Sequence, residues 1–276
     1  MPPPVTAEEG LQPLVMGVFP RRDSAITVQL FRPMQHYLSQ KLGREVVLET
    51  SSDFDTFQQH LLAHRYDLVH MNQYHYVEAH KQLAYEVVAQ NEERGEATLR
   101  GAILVRNDSP YVDLQQLKGK KIIFGGGTRA MISYVVPTFM LRQAGLQQGD
   151  YEEVFAASPP DAVLATYLGQ GDAGGAGELI VRMPVVTNKI DTSELRVLAV
   201  SKPLPHLVWA VKGEMAAAEK QILRQVLLEM KLEPEGQQVL KAARLTAFNP
   251  AVDADYDVHR NIIESVHKAD GVDISE

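Results

Sequence analysis

Short apolar, β-branched runs alternate along this chain with longer stretches whose apolar residues recur every three or four positions, the pattern of parallel sheets built from strand–helix–strand units. The first run is LVMGVF, Leu14 to Phe19. Beyond it Ser24 is a plausible N-cap, and Ile26, Leu30, Met34, Tyr37 and Leu38 keep helical spacing until Gly43, with Pro33 expected to bend the middle. EVVLET, Glu45 to Thr50, is the second predicted strand. The turn Ser51-Ser52-Asp53 then leads into a helix carrying Phe54, Phe57, Leu61 and Leu62. DLVHMN, Asp67 to Asn72, is the third strand; a helix follows it through Gln73-Tyr74-His75-Tyr76, and YEVVAQN, Tyr85 to Asn91, is the fourth.

A second series begins after the acidic stretch Asn91 to Glu96. RGAILVRNDSP reads as extended, KKIIFGGG as a strand, and the residues from about Arg129 to Ala144 as a helix closed by Gly145. YEEVFAA is a further strand, and Ser158-Pro159-Pro160-Asp161 opens its helix, with proline in the turn where its missing donor is not needed. GDAGGAGELI, LRVLAVS and HLVWAVK are short extended runs, and the remainder reads mostly as helix.

Composition narrows what such a fold could do. Apolar residues are 45% of the chain and charged residues 22%, ordinary globular values. Lys plus Arg number 27 against 35 Asp plus Glu, a net charge of −8. With no dense basic run, nucleic acid is not an expected partner. There are no cysteines, so thiolate metal sites, disulfides and a cysteine nucleophile are excluded together. No run approaches the roughly 20 apolar residues of a membrane span. The opening MPPPVTAEEGLQP carries no recognisable export signal.

In an open α/β sheet, ligands bind beyond the carboxyl ends of the strands, where helix N-termini present free donors. Five loops qualify: Pro20 to Asp23, Ser51 to Asp53, Asn72 to Tyr76, Gly125 to Arg129, and Ser158 to Asp161. The glycine loop IIFGGGTRA lacks the lysine of a nucleotide P-loop and the spacing of a dinucleotide fingerprint, so no cofactor is implied. His60 and His64 are four apart and His70, His75 and His80 five apart; the latter spacing scatters them over different faces, and packing or surface roles are expected rather than a metal site. No nucleophile signature is present, although an enzyme acting on a small anionic substrate remains the alternative.

GVFP, DFDTF, YDLVHMNQYHYVEAH, LKGKKIIFG, PDAVLATYLGQGDAGGAG and KPLPHLVWAVK, in that order, resemble the periplasmic phosphate/phosphite/phosphonate-binding proteins of ABC transporters. The likeness spans roughly Leu14 to Leu245. It implies a type II periplasmic binding fold: two α/β lobes, residues 14–100 with 206–276 and residues 101–205, joined by crossings near Ala97 to Gly101 and Pro203 to His206. It implies a small oxyanion held in the cleft without turnover, a periplasmic location, a monomer, and a membrane partner that is an ABC permease or a sensor histidine kinase.

The carried-over positions match in part. Tyr76 fits the family's tyrosine, whereas Phe54 stands where that resemblance places a hydroxylated aromatic. Ala130-Met131-Ile132 replaces a Ser-Thr-Ser run, and Pro160 replaces a histidine. FPRR, NQYHY, FGGGTRAMISY and GAGE are similar to a sensory branch that includes arsenite-binding proteins, and the missing hydroxyl run inclines the reading toward sensing or specialised scavenging. With no cysteine, capture of arsenite through sulfur is excluded.

The expected ligand-binding set is Tyr76, Thr128, Arg129, Ser133, Asp161, Glu178 and His206, with Arg22 and Asn72 at its edge. Plainer roles stand beside these: packing for Tyr76, burial for Ser133, solvation for Arg22, and capping of its own helix for Asp161. Asp161 and Glu178 would repel an anion unless it carried a proton, as hydrogen phosphate does.

Overall fold

Leu14–Val18 (β1) lies at the centre of a parallel trio, paired with Val46–Thr50 (β2) on one side and Leu68–Met71 (β3) on the other. The computed structural model describes residues 12–20 and 24–269. Ser24–Leu42 (α1) makes the first crossover, and Thr27, Phe31, Met34, Tyr37 and Leu38 form its buried stripe. Pro33 stays inside this helix without ending it. Phe54–Leu62 (α2) makes the second crossover, capped by Asp53, whose Oδ1 accepts from the Thr56 amide at 2.7 Å.

Three antiparallel strands extend the trio. Val208–Val211 (β12) pairs with β3 and with Glu86–Glu92 (β4), and Ala247–Asn249 (β13) closes the edge, giving the order β13-β4-β12-β3-β1-β2. The sequence pattern gave no warning of β13, because three residues are too few for a period to register. Ala217–Glu229 (α7) and Pro234–Ala242 (α8) join α1 over a core of Phe31, Met34, Trp209, Leu223, Leu227 and Phe248. Trp209 is wholly buried, and its indole N–H is satisfied by Asn91 Oδ1 at 2.9 Å.

The second sheet is ordered Leu195–Val200 (β10), Gly101–Arg106 (β6), Ala173–Gly177 (β9), Lys121–Gly125 (β7), Glu152–Ala156 (β8). In it β7 runs parallel to β8 and β9, while β6 is antiparallel to β9 and to β10. Val136–Gln143 (α4), Pro159–Tyr167 (α5) and the single turn Pro184–Thr187 (α6) accompany it. The expected helix after the glycine loop begins as a π-helical turn, Met131–Val135, before continuing as α4.

The chain passes between the sheets at Thr98–Leu99 (β5) and Leu204–Pro205 (β11), which pair with each other as a two-stranded antiparallel ribbon. A third connection comes from packing. Asp257–Ala269 (α9) follows β13 of the first sheet, yet its Ile262, Ile263 and Val266 are buried in one cluster with Met140 and Leu141 of α4 and with Tyr74 and Val77 of Gln73–Leu83 (α3). Among the described residues, no helix is long and apolar enough to cross a membrane.

Polar bonds fix α9 to α3. The buried Tyr76 donates to Asp253 Oδ1 at 2.7 Å, and Arg260 pairs with the same carboxylate. Burial works to raise the Asp253 pKa, but the Tyr76 hydroxyl and the Arg260 charge outweigh it and hold it below the usual range. A carboxyl lowered in the folded state contributes stability above its unfolded pKa and loses it as pH falls through the folded value. Tyr76→Phe is therefore expected to cost about 1–2 kcal/mol at neutral pH. Urea unfolding of both proteins over a descending pH series should show the gap narrowing as Asp253 protonates.

Candidate functional site

The carboxyl ends of β1, β2 and β3 place Phe19, Ser51 to Asp53 and Asn72 at one edge of the first sheet, where α2 and α3 begin. On the other half, β7, β8 and β9 end at the glycine loop, at Ser158 and at Gly177, and α5 begins beside them. These two edges meet. Asn72 Nδ2 donates to the Arg129 carbonyl at 3.0 Å, and the Arg129 guanidinium donates to Asp55 in the first turn of α2 at 2.8 Å. The result is a cation bracketed by helix N-termini, where partial positive charge and unpaired amides favour a bound anion.

The glycine loop owes its composition to crowding and backbone direction. A Cβ on Gly125 would lie 2.3 Å from the Pro159 Cα and 2.6 Å from the Ser158 carbonyl, so only glycine lets α5 begin this close to β7. Gly126 and Gly127 have φ of +86° and +81°, the left-handed region that favours glycine. The chain then turns inward. Ala130 and Met131 are buried in the core of the second half, which gives their apolar character a packing reason where a hydroxyl run had been expected.

Of the expected set, the structure brings Asn72 and Arg129 together, with Thr128 exposed beside them. The others have partners of their own. Ser133 is buried and donates to the Gly125 carbonyl at 2.7 Å. Asp161 accepts from its own N-cap, Ser158 Oγ, at 2.6 Å. Tyr76 is turned to Asp253, as described. Glu178 stands 4.0 Å from Arg100, and its amide donates to the Arg100 carbonyl at 2.9 Å. His206 is buried at the end of the connecting ribbon; its Nδ1 accepts from the Leu207 amide at 2.8 Å and its carbonyl from Tyr256 at 3.1 Å. Arg22 lies outside the described residues.

The same edge holds groups outside that expected set, among them Phe54, which stands at a position the resemblance assigns to ligand contact. Phe19 and Phe54 have ring centroids 6.0 Å apart, and a Cβ on Gly126 would sit 3.5 Å from the Phe54 ring. His75, in the first turn of α3, is fully buried against Phe54 and Phe57, with centroid distances of 5.6 and 5.3 Å. Burial, and after it the Arg129 charge, push its pKa down to about 3, so the ring is uncharged at neutral pH. Asp55, in the first turn of α2, joins these groups through its bond to Arg129.

Solved structures share this architecture over nearly the whole chain. A Xanthomonas citri protein bound to chloride ion superposes with a TM-score of 0.83 at 19% identity, covering 94% of this chain and 99% of its own. PhnD1 from Prochlorococcus marinus, in complex with methylphosphonate, gives 0.80 at 19% identity over 93% and 98%. A binding-protein component of an ABC phosphonate transporter from Pseudomonas aeruginosa gives 0.79 at 16% identity over 94% and 87%. The fold is the type II periplasmic binding fold that the resemblance implied. Residues 16–256 match the family model described as the phosphonate periplasmic substrate-binding protein of ABC transporters, and with most of its length so matched, this chain belongs to that family.

Proposed function

We propose that this protein binds a small oxyanion, a phosphonate or a close relative such as phosphite or phosphate, between its two halves and delivers it in the periplasm to an ABC permease. Residues 14–100 with 206–276 form one lobe in this reading and residues 101–205 the other, and ligand contacts to both stabilise the closed arrangement. The observation that carries the proposal is the reach of the Arg129 loop across to α2 and α3, which sets one cation among the helix N-termini of both halves. Binding without turnover is part of the proposal.

Magnitudes support a clasp that opens. Asp55 is largely solvent-exposed and Arg129 partly so, and ion pairs of this kind contribute about 0.2–1 kcal/mol. An incoming anion competes with Asp55 for the guanidinium on favourable terms, because it gains the helix-terminal amides as well. Ala130 and Met131 pack in the core, so the missing hydroxyl run does not by itself favour sensing over import.

Calorimetric titration with methylphosphonate, phosphite, phosphate and arsenate is expected to give one-to-one binding for at least one of the four, with no consumption of ligand; silence from all of them would remove the oxyanion reading. Arg129→Ala is expected to lower the affinity for whichever anion binds by about tenfold or more, and to flatten its dependence on salt. For the partner, pull-down with and without ligand should retain the permease. Ligand-dependent capture of a histidine kinase's periplasmic domain instead would favour the sensory reading.

A further inference from the structure

Buried histidines in folded proteins are normally hydrogen-bonded, because a polar ring nitrogen withdrawn from water without a partner is costly. In this protein His70 follows the rule, with Nδ1 3.0 Å from the Val208 carbonyl and its ring stacked on Trp209. His206 follows it through the Leu207 amide. His75 does not: its side chain is fully buried, and neither ring nitrogen has a hydrogen-bond partner among the described residues. Its position separates it from an ordinary packing residue. It occupies the first turn of an eleven-residue helix, at the carboxyl edge of the first sheet, and its own amide is engaged by the Asn72 side chain that also reaches Arg129.

We infer that His75 is a ligand-contacting residue of this cleft, whose imidazole donates a ring N–H to an oxygen of the bound oxyanion beside the N-terminus of α3. The inference rests on the reading of the cleft as an oxyanion site. The groups packed on the ring leave it this task. Phe54 and Phe57 of α2 offer no polar atom, and the Asp55 carboxylate of the same helix is engaged by Arg129. Arg129 supplies the charge from the opposite half, while burial, and after it that charge, keeps His75 neutral. An uncharged donor adds directionality without adding a second cation. It discriminates by where the ligand's oxygens lie, whereas Arg129 responds to net charge at longer range.

A residue held for ligand contact and a residue held for packing respond to substitution with opposite signs. His75→Phe keeps an aromatic ring between Phe54 and Phe57 and removes both unpaired nitrogens, so without added anion it is expected to raise Tm by about 2–4 °C. In calorimetric titration with methylphosphonate, or with phosphite or phosphate if methylphosphonate gives no heat, the same variant should bind about tenfold or more weakly. His75→Gln, which retains a donor, should recover most of the loss. His259 on α9 is the control: it is equally buried, neither of its ring nitrogens has a partner among the described residues, and it stacks on Tyr256 rather than on the cleft aromatics. His259→Phe should leave affinity unchanged.

Wild-type affinity in His75→Phe would overturn the inference and leave the oxyanion reading standing. A lowered Tm together with weaker binding that His75→Gln does not rescue would assign His75 to packing and overturn it likewise. If the unsubstituted protein titrates with none of these three anions nor with arsenate, the oxyanion reading and the inference fall together.

Discussion

The Asn72 side chain is a single planar amide with two separate obligations. Its Oδ1 accepts from the His75 amide and so caps α3, while its Nδ2 reaches the Arg129 carbonyl in the other half. Planarity makes the two bonds interdependent: rotating the amide to improve one moves the other. The cap fixes the direction in which α3 leaves the sheet, and thus where Tyr74, His75 and Tyr76 point. The opposite end of the amide fixes how near the glycine loop approaches. An aspartate could cap the helix as well, but it has no N–H to offer the carbonyl.

The second half meets that demand through small residues. β9 is Ala-Gly-Gly-Ala-Gly, and a Cβ at Gly175 would collide with the Phe124 ring and the Ser133 carbonyl. The close packing this permits draws the π-helical turn and α5 tightly onto the sheet. Ser133 then ties the turn back to Gly125. The loop that carries Arg129 is held from beneath by backbone and core contacts, which leaves its outer side for other groups.

Much of the fold was legible because its signals are local. Strand runs, helical periods and capping residues all leave marks within a few residues of one another. What escaped depends on distance along the chain. Tyr76 looked like a ligand residue by its neighbours, but its hydroxyl is directed to Asp253, 177 positions later, and no local pattern announces that choice. Asp161 was readable in its plainer role because the capping partner, Ser158, is three residues away. His75 reads in the sequence as one of three evenly spaced histidines and as part of the Asn72 to Tyr76 loop, with nothing local to set it apart within that loop. Periodicity asks which face a residue occupies, whereas its isolation follows from two phenylalanines on another helix.

The path of α9 bears on how the molecule comes apart. The helix belongs in sequence to the half that ends with β13, yet its apolar face is completed by α4 of the other half. Neither half can unfold alone without stripping cover from the other, so the exposure that drives melting is shared between them. Two sheets joined by a slender ribbon would ordinarily behave as two calorimetric units. Here the last helix packs on both, so a ligand that steadies either sheet would also defend the other against denaturation.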